Sequence, residues 1–356
     1  MFPSTSPDTG RDPWSGGPPP GPAGPAPGPA GPARGYPPAP RTGPADDDGA
    51  ARERKGPRRL RKGGPGRRPD DEADEAPEEE VPPVPVRRPL ALTVAGFAAL
   101  LGVGLVLGAQ TAGPGHRLPF AFIIFGVQLL FVLAWTMAMR PPALLVVALV
   151  SAAAAAIADA AAVQSEIAGL APLGYAAAAG FVLGVLGQLV RRVDRVRVTD
   201  SLGSTLLIVV GVVAFATLIV LSRIPKGTQA ITVCLTATGV ALLVARLTDA
   251  VAPWPRLAPQ VPRGAAGVVA GAMLGTLTSA VLGSYLVGFT PTSAALVGLV
   301  TAGTAVLADL AVGYAEAGRL MAGEPPTMWV ARHMQGPLGG FALAAPAAYA
   351  MCVLFL

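Results

Sequence analysis

From residue 89 onward the chain alternates long apolar stretches with short polar connections. Nine such stretches occur, over 89–109, 119–139, 142–163, 169–190, 203–222, 228–250, 264–288, 294–316 and 336–356. Each holds about 20 residues or slightly more. A helix of that length, rising 1.5 Å per residue, crosses a hydrocarbon core of roughly 30 Å. Glycine and proline punctuate the connections, as at Gly113-Pro114-Gly115, Pro141-Pro142 and Pro253 to Pro262. The pattern predicts an all-α, polytopic transmembrane bundle over 89–356, preceded by a separate tail over 1–88.

The tail is of another kind. Residues 13–44 are mostly Pro, Gly and Ala, with a glycine spacing that breaks at Pro27, so no collagen repeat is sustained. Few aromatic or branched aliphatic side chains are present to offset the entropy of ordering, which predicts disorder. Nine Lys or Arg then lie between Arg52 and Arg68, and eight Asp or Glu between Asp70 and Glu80. Two readings fit these blocks: a solvated spacer, or an arm that binds anionic lipid or a partner.

Charge sharpens the division. The tail carries 14 basic and 14 acidic residues, so the net charge of +5 belongs to residues 89–356, with 13 basic and 8 acidic. That imbalance argues for membrane orientation and against a nucleic-acid partner. With the tail cytoplasmic, the inside loops carry Arg140, Arg191, Arg192, Arg195, Arg197, Arg246, Arg256, Arg263, Arg319 and Arg332. The outside loops carry only Arg117, Arg223 and Lys226. Nine spans then leave Leu356 outside. The first apolar run begins too late for a cleavable leader and is expected to remain as a helix. Cys234 and Cys352 both fall in apolar stretches and read as packing residues, not as a disulfide or a metal pair.

Few polar residues stand inside the stretches. Asp159 and Asp309 are acids within predicted spans, each costing about 3 kcal/mol at mid-membrane, so both are functional candidates. The bland reading of each is a structural hydrogen bond to a neighbouring helix. Gly267, Gly271 and Gly275, continued by Ser279 and Gly283, form a four-residue row that reads either as a close helix–helix seam or as a substrate groove.

Four segments, in order, carry a resemblance: T-A-T-G-V-A at 236–241, R-L-A-P-Q-V-P-R-G-A-A-G at 256–267, A-D-L-A-V-G at 308–313 and G-G-F-A-L-A-A-P at 339–346. From about residue 198 onward the chain resembles the phosphatidate cytidylyltransferases, the CDP-diacylglycerol synthases of bacterial inner membranes. Thr238, Gly239, Leu257, Ala258, Pro259, Pro262, Gly267, Asp309, Leu310, Ala345 and Pro346 fall on the family's motif positions. The reactive positions differ. Ala237 replaces an aspartate, the signature's Lys, Thr and Glu are lost around Gly264 to Ala266, and a Lys-Arg pair falls on Glu316 and Ala317. Two further aspartates fall on glycines, about Gly336 and Gly339.

The resemblance implies an inner-membrane protein that has lost transfer chemistry, because that reaction uses divalent cations held by carboxylates to clamp nucleotide phosphates. Asp309, with Glu316 two turns along the same face, is then a candidate residual metal or head-group site. Arg256, Arg263 and Arg332, with Arg319 and His333 nearby, are candidate phosphate contacts; topology alone also accounts for the arginines, and a surface loop for His333. The expected partners are the bilayer, an anionic phospholipid, and another membrane protein or a second copy. No cofactor is expected, or Mg if transferase activity persists. An active diverged cytidylyltransferase and a small-solute transporter lined by Asp159 and Asp309 are the alternatives.

Overall fold

The computed structural model describes residues 84–112, 117–190 and 197–355. The expectations for residues 1–83 of the tail, both charge blocks included, and for Arg191, Arg192 and Arg195 lie outside the described residues. Within them run α1 (Arg88–Ala109), α2 (Leu118–Met139), α3 (Leu144–Gln164), α4 (Ala171–Val190), α5 (Val198–Leu221), α6 (Gly227–Val251), α7 (Ala265–Gly283), α8 (Pro291–Met321) and α9 (Trp329–Phe355). All nine are long and apolar enough to cross a membrane, so the bundle is polytopic.

The helices pack in two groups. α2, α3 and α4 surround α5, while α1, α7 and α8 surround α6; α9 touches both groups and joins them. α5 is buried continuously from Ala214 to Leu221, whereas the outer helices turn side chains such as Leu100, Phe122 and Leu145 outward. An outward apolar surface of this kind suits acyl chains as solvent.

Lipid is as apolar as leucine, so burial of apolar area does not hold such helices together; close packing and polar contacts do. The glycine row of α7 supplies the first. Gly267, Gly271 and Gly275 face the Ala245, Ala241 and Ala237 positions of α6. A Cβ on Gly271 would come 2.5 Å from the Ala241 carbonyl oxygen, and one on Gly275 would come 2.7 Å from that of Ala237. Only a bare backbone permits this approach. The row is thus spent on a seam within the chain.

The connections follow local chemistry. α8 begins with a reciprocal cap: the Ser293 amide donates to Thr290 Oγ1 at 3.1 Å, and the Thr290 amide donates to Ser293 Oγ at 3.0 Å, with Pro291 in the first turn. Between α7 and α8, Gly288 adopts φ +92°, which glycine accommodates without a Cβ penalty. At the end of α3, Arg223 donates to the Ala162 carbonyl at 2.5 Å and to Ser165 Oγ at 2.6 Å, completing a helix terminus with a cation.

Local features depart from the sequence pattern: α5 begins at Val198 instead of 203 and α8 runs to Met321 instead of 316, and three further differences have a visible cause. Residues of the Pro253–Pro262 connection form an antiparallel hairpin, β1 (Arg256–Ala258) and β2 (Val261–Gly264), with Arg256 opposite Gly264 and Ala258 opposite Val261. Alternate burial decides it, since Val261, Arg263 and Gly264 are buried while Pro262 is exposed. α9 starts at Trp329, seven residues before the expected 336, and runs through Pro337 and Pro346. Its extra turns are held by a tertiary contact, Arg332 to Glu316 on α8, and by the i, i+4 contact of the Trp329 ring with His333 inside α9. α7 ends at Gly283 instead of 288, because residues 284–289 turn to reach the Thr290 cap.

Candidate functional site: a charged cavity where α8 and α9 overhang

The first helix begins, and α8 ends, at the same end of the bundle, which also carries Arg140, Arg246, Arg263, Arg319 and Arg332. This is the basic end. α8 has 31 residues and α9 has 27, against 19–25 for the others. Asp309 lies twelve residues before the end of α8, about 18 Å, whereas its partner Arg246 lies five residues before the end of α6, about 8 Å. Fixed together at one level, α8 therefore continues roughly 10 Å past α6. That overhang, with the first turns of α9, the hairpin and the start of α1, encloses a cavity of about 470 Å³.

The floor of the cavity is formed by Arg246, Arg263 and Asp309, which with Asp249 behind them make a network of four charges. Asp309 is fully buried. Its Oδ2 accepts from Arg246 Nε at 3.1 Å and from Arg263 Nη1 at 2.5 Å, and its Oδ1 pairs with Arg246 Nη2. Arg263, 2% exposed, also pairs through Nε with Asp249 Oδ2 at 2.6 Å. Asp249 Oδ1 in turn accepts the Gly264 amide at 2.9 Å, placing a carboxylate at the N-terminus of α7 where the helix dipole favours it. The alternation Arg246–Asp309–Arg263–Asp249 ties α6, α8 and the hairpin into one unit. Burial works to lower the pKa of Arg263, but its two carboxylates outweigh that and hold the guanidinium above its usual range.

Two glycines make room. A Cβ on Gly267 would come 2.5 Å from Asp249 Oδ1, and one on Gly336 would overlap Asp309 Oδ1 outright. The walls differ in character: Leu90 and Val94 of α1 with Val312 and Leu320 of α8 are apolar, and Arg87, Arg332 and His333 are polar members of the lining. Arg87 makes no ion pair among the described residues. Arg263 Nη2 is buried without a hydrogen-bond partner.

The residues singled out from the sequence distribute unevenly around this cavity. Asp309, Glu316, Arg263, Arg332 and His333 all line it. Glu316 pairs with Arg332, so it does not join Asp309 on a shared ligand. Arg256 is elsewhere: its Nη1 donates to the Val84 carbonyl at 2.6 Å, tying the chain before α1 to the hairpin. Arg319 donates to the Ala138 carbonyl at the end of α2. His333 belongs to α9, not to a loop. Asp159 lies far off, in the α2–α5 half, hydrogen-bonded to Gln128. Two members of the charge network, Arg246 and Asp249, are not singled out as site residues by the sequence, although both fall inside the predicted span 228–250. The reasoning that flags Asp309, a charge within an apolar stretch, applies equally to them.

Among the described residues no three His, Cys, Asp or Glu side chains converge as metal ligands. The four network charges balance: Asp309 accepts from both guanidinium groups, and Asp249 pairs with Arg263 and accepts the Gly264 amide. Comparison of the chain with protein-family models, with characterised proteins and with solved structures finds no match.

Proposed function

We propose that the chain is a non-catalytic membrane protein, related to the phosphatidate cytidylyltransferases, that binds an anionic lipid headgroup in the cavity at its basic end. The double pairing of Asp309 carries this reading. A transferase of that kind needs the carboxylate for a divalent cation; here Arg246 and Arg263 bring the compensating positive charge instead. The cavity above suits an amphiphile. Arg87 and the unmatched Nη2 of Arg263 are donors for a phosphate, and Leu90, Val94 and Leu320 offer an apolar wall for its chains.

The test uses the full-length protein in phosphatidylcholine nanodiscs. Added phosphatidate is expected to raise stability, by about 2.7 kcal/mol at a hundredfold excess over Kd. Arg87→Ala should weaken that binding about tenfold, the worth of one charge-assisted hydrogen bond. Equal unfolding midpoints with and without phosphatidate would sink the proposal. Labelled CTP and phosphatidate should yield no CDP-diacylglycerol; product formation abolished by Asp309→Ala would establish an active transferase instead.

The same reading puts the basic end, and with it the tail, on the cytoplasmic side of a bacterial inner membrane. The distribution of arginines supports it. Alkaline phosphatase fused after Leu356 is then expected to be active, and a fluorescent protein at that position dark; the reverse pair of results inverts the topology.

A further inference from the structure

The α2–α5 half contains an acid built quite differently from Asp309. Asp159 lies fifteen residues into α3, about 22 Å from its basic-end terminus, and is 7% exposed. Its Oδ1 accepts from Gln128 Nε2 of α2 at 2.8 Å. The same nitrogen donates to the Val212 carbonyl of α5 at 2.9 Å, so both amide protons are committed. Asp159 Oδ2 and Gln128 Oε1 are buried without partners.

No cation answers this carboxyl among the described residues. α2 has no titratable side chain, α4 has only the exposed Tyr175, and α5 has only Asp200, which pairs with Arg197 at its first turn. Beyond the end of α3, Arg117 and Arg223 are engaged by the carbonyls of Val163, Ala162 and Ser165. An ionised carboxylate with one hydrogen bond and no counter-charge costs several kcal/mol in such surroundings. A proton on Oδ2 removes that cost, and it turns an acceptor without a donor into a donor.

Other buried polar groups without partners lie in this half. Ser151, two turns earlier on the Asp159 face of α3, has a buried hydroxyl without a partner; so do Ser201 of α5 and, through its amide, Gln188 of α4. These groups lie toward the basic end, in a layer where Gly184 and Gly187 bring α4 against Thr205 of α5 and Val146 of α3. Water reaching these groups would satisfy that hydrogen-bonding capacity.

We propose that Asp159 is a proton-binding site within the membrane, held as the neutral acid and exchanging its proton with the aqueous phase at the basic end past Ser151, Ser201 and Gln188. It is separate from the headgroup cavity and does not depend on it.

Infrared difference spectroscopy of the full-length protein in liposomes tests this at neutral pH. The C=O stretch of a protonated carboxyl is expected in the wild type and absent in Asp159→Asn, whose amide keeps the bond to Gln128. In Asp159→Glu, which keeps the acid should the amide fail to fold, the band should persist at a displaced frequency. Transfer to D₂O should shift the wild-type band, more slowly in Gln188→Leu. No protonated-carboxyl band in the wild type, or a band indifferent to Asp159 substitution, overturns the proposal. So does a band that never shifts in D₂O, which would make Asp159 a sealed structural acid.

Discussion

Asp309→Ala is expected to destabilise the bundle by about 3–5 kcal/mol, the usual consequence of breaking a buried ion pair from one side. The substitution removes the anion shared by Arg246 and Arg263 and leaves both guanidinium groups at the floor of the cavity. Arg263 retains Asp249; Arg246 retains no ion pair among the described residues. Asp309→Asn should cost nearly as much, because an amide keeps the shape but not the charge. The double variant Asp309→Ala with Arg246→Leu should recover part of the loss, since it removes the uncompensated cation along with its partner. Unfolding midpoints in one detergent measure all three. A midpoint for Asp309→Ala within error of wild type would mean that the network does not hold α6, α8 and the hairpin together. A chelator should leave the wild-type midpoint unchanged.

Apolar length is a strong signal, and it makes the nine helices legible in the sequence. The ends are harder to read. Gly336-Pro337 looks like a helix start, because proline breaks the hydrogen-bond ladder. Yet the turns before it are held by Arg332 on Glu316, a contact that exists only once α8 and α9 lie side by side. The hairpin is hidden for a similar reason: strands of three and four residues between prolines carry almost no periodicity, and burial of Val261 and Arg263 against the bundle settles their form.

The site was legible by half. Asp309 stands out as an acid within a predicted span, and Arg263 and Arg332 as neighbours in connections. Which arginine meets which acid depends on the depth at which α8 crosses α6, and spacing along one helix does not encode that. Glu316 illustrates the limit. Seven residues from Asp309 it shares a face, as expected, but the nearer cation on α9 takes it. Arg246 is missed because a position near the end of a span also suits a loop arginine. Both roles satisfy the same hydropathy pattern, and only the packed structure separates them.

Gly336 is where the charge network and the helix packing meet, and Gly336→Ala is expected to destabilise by about 1–3 kcal/mol through overpacking. In an isolated helix interior the same change would stabilise by about 1 kcal/mol, because alanine has the higher helix propensity. The sign reverses here because the new Cβ overlaps Asp309 Oδ1 and lies 3.0 Å from Arg246 Nη2, so the bidentate pair must open or α9 must retreat from α8. Gly336→Asp sharpens the test, since the proposed relatives carry an acid near this position. A second carboxylate beside Asp309 would restore part of a cation-binding set, but only by displacing Arg246. With Arg246 and Arg263 holding Asp309, the variant is expected to lose more stability than Gly336→Ala and to gain none from added Mg²⁺. Magnesium-dependent recovery of its midpoint would show that the arginines yield to a metal, and the site would then be a dormant metal centre instead of a permanent ion-pair network.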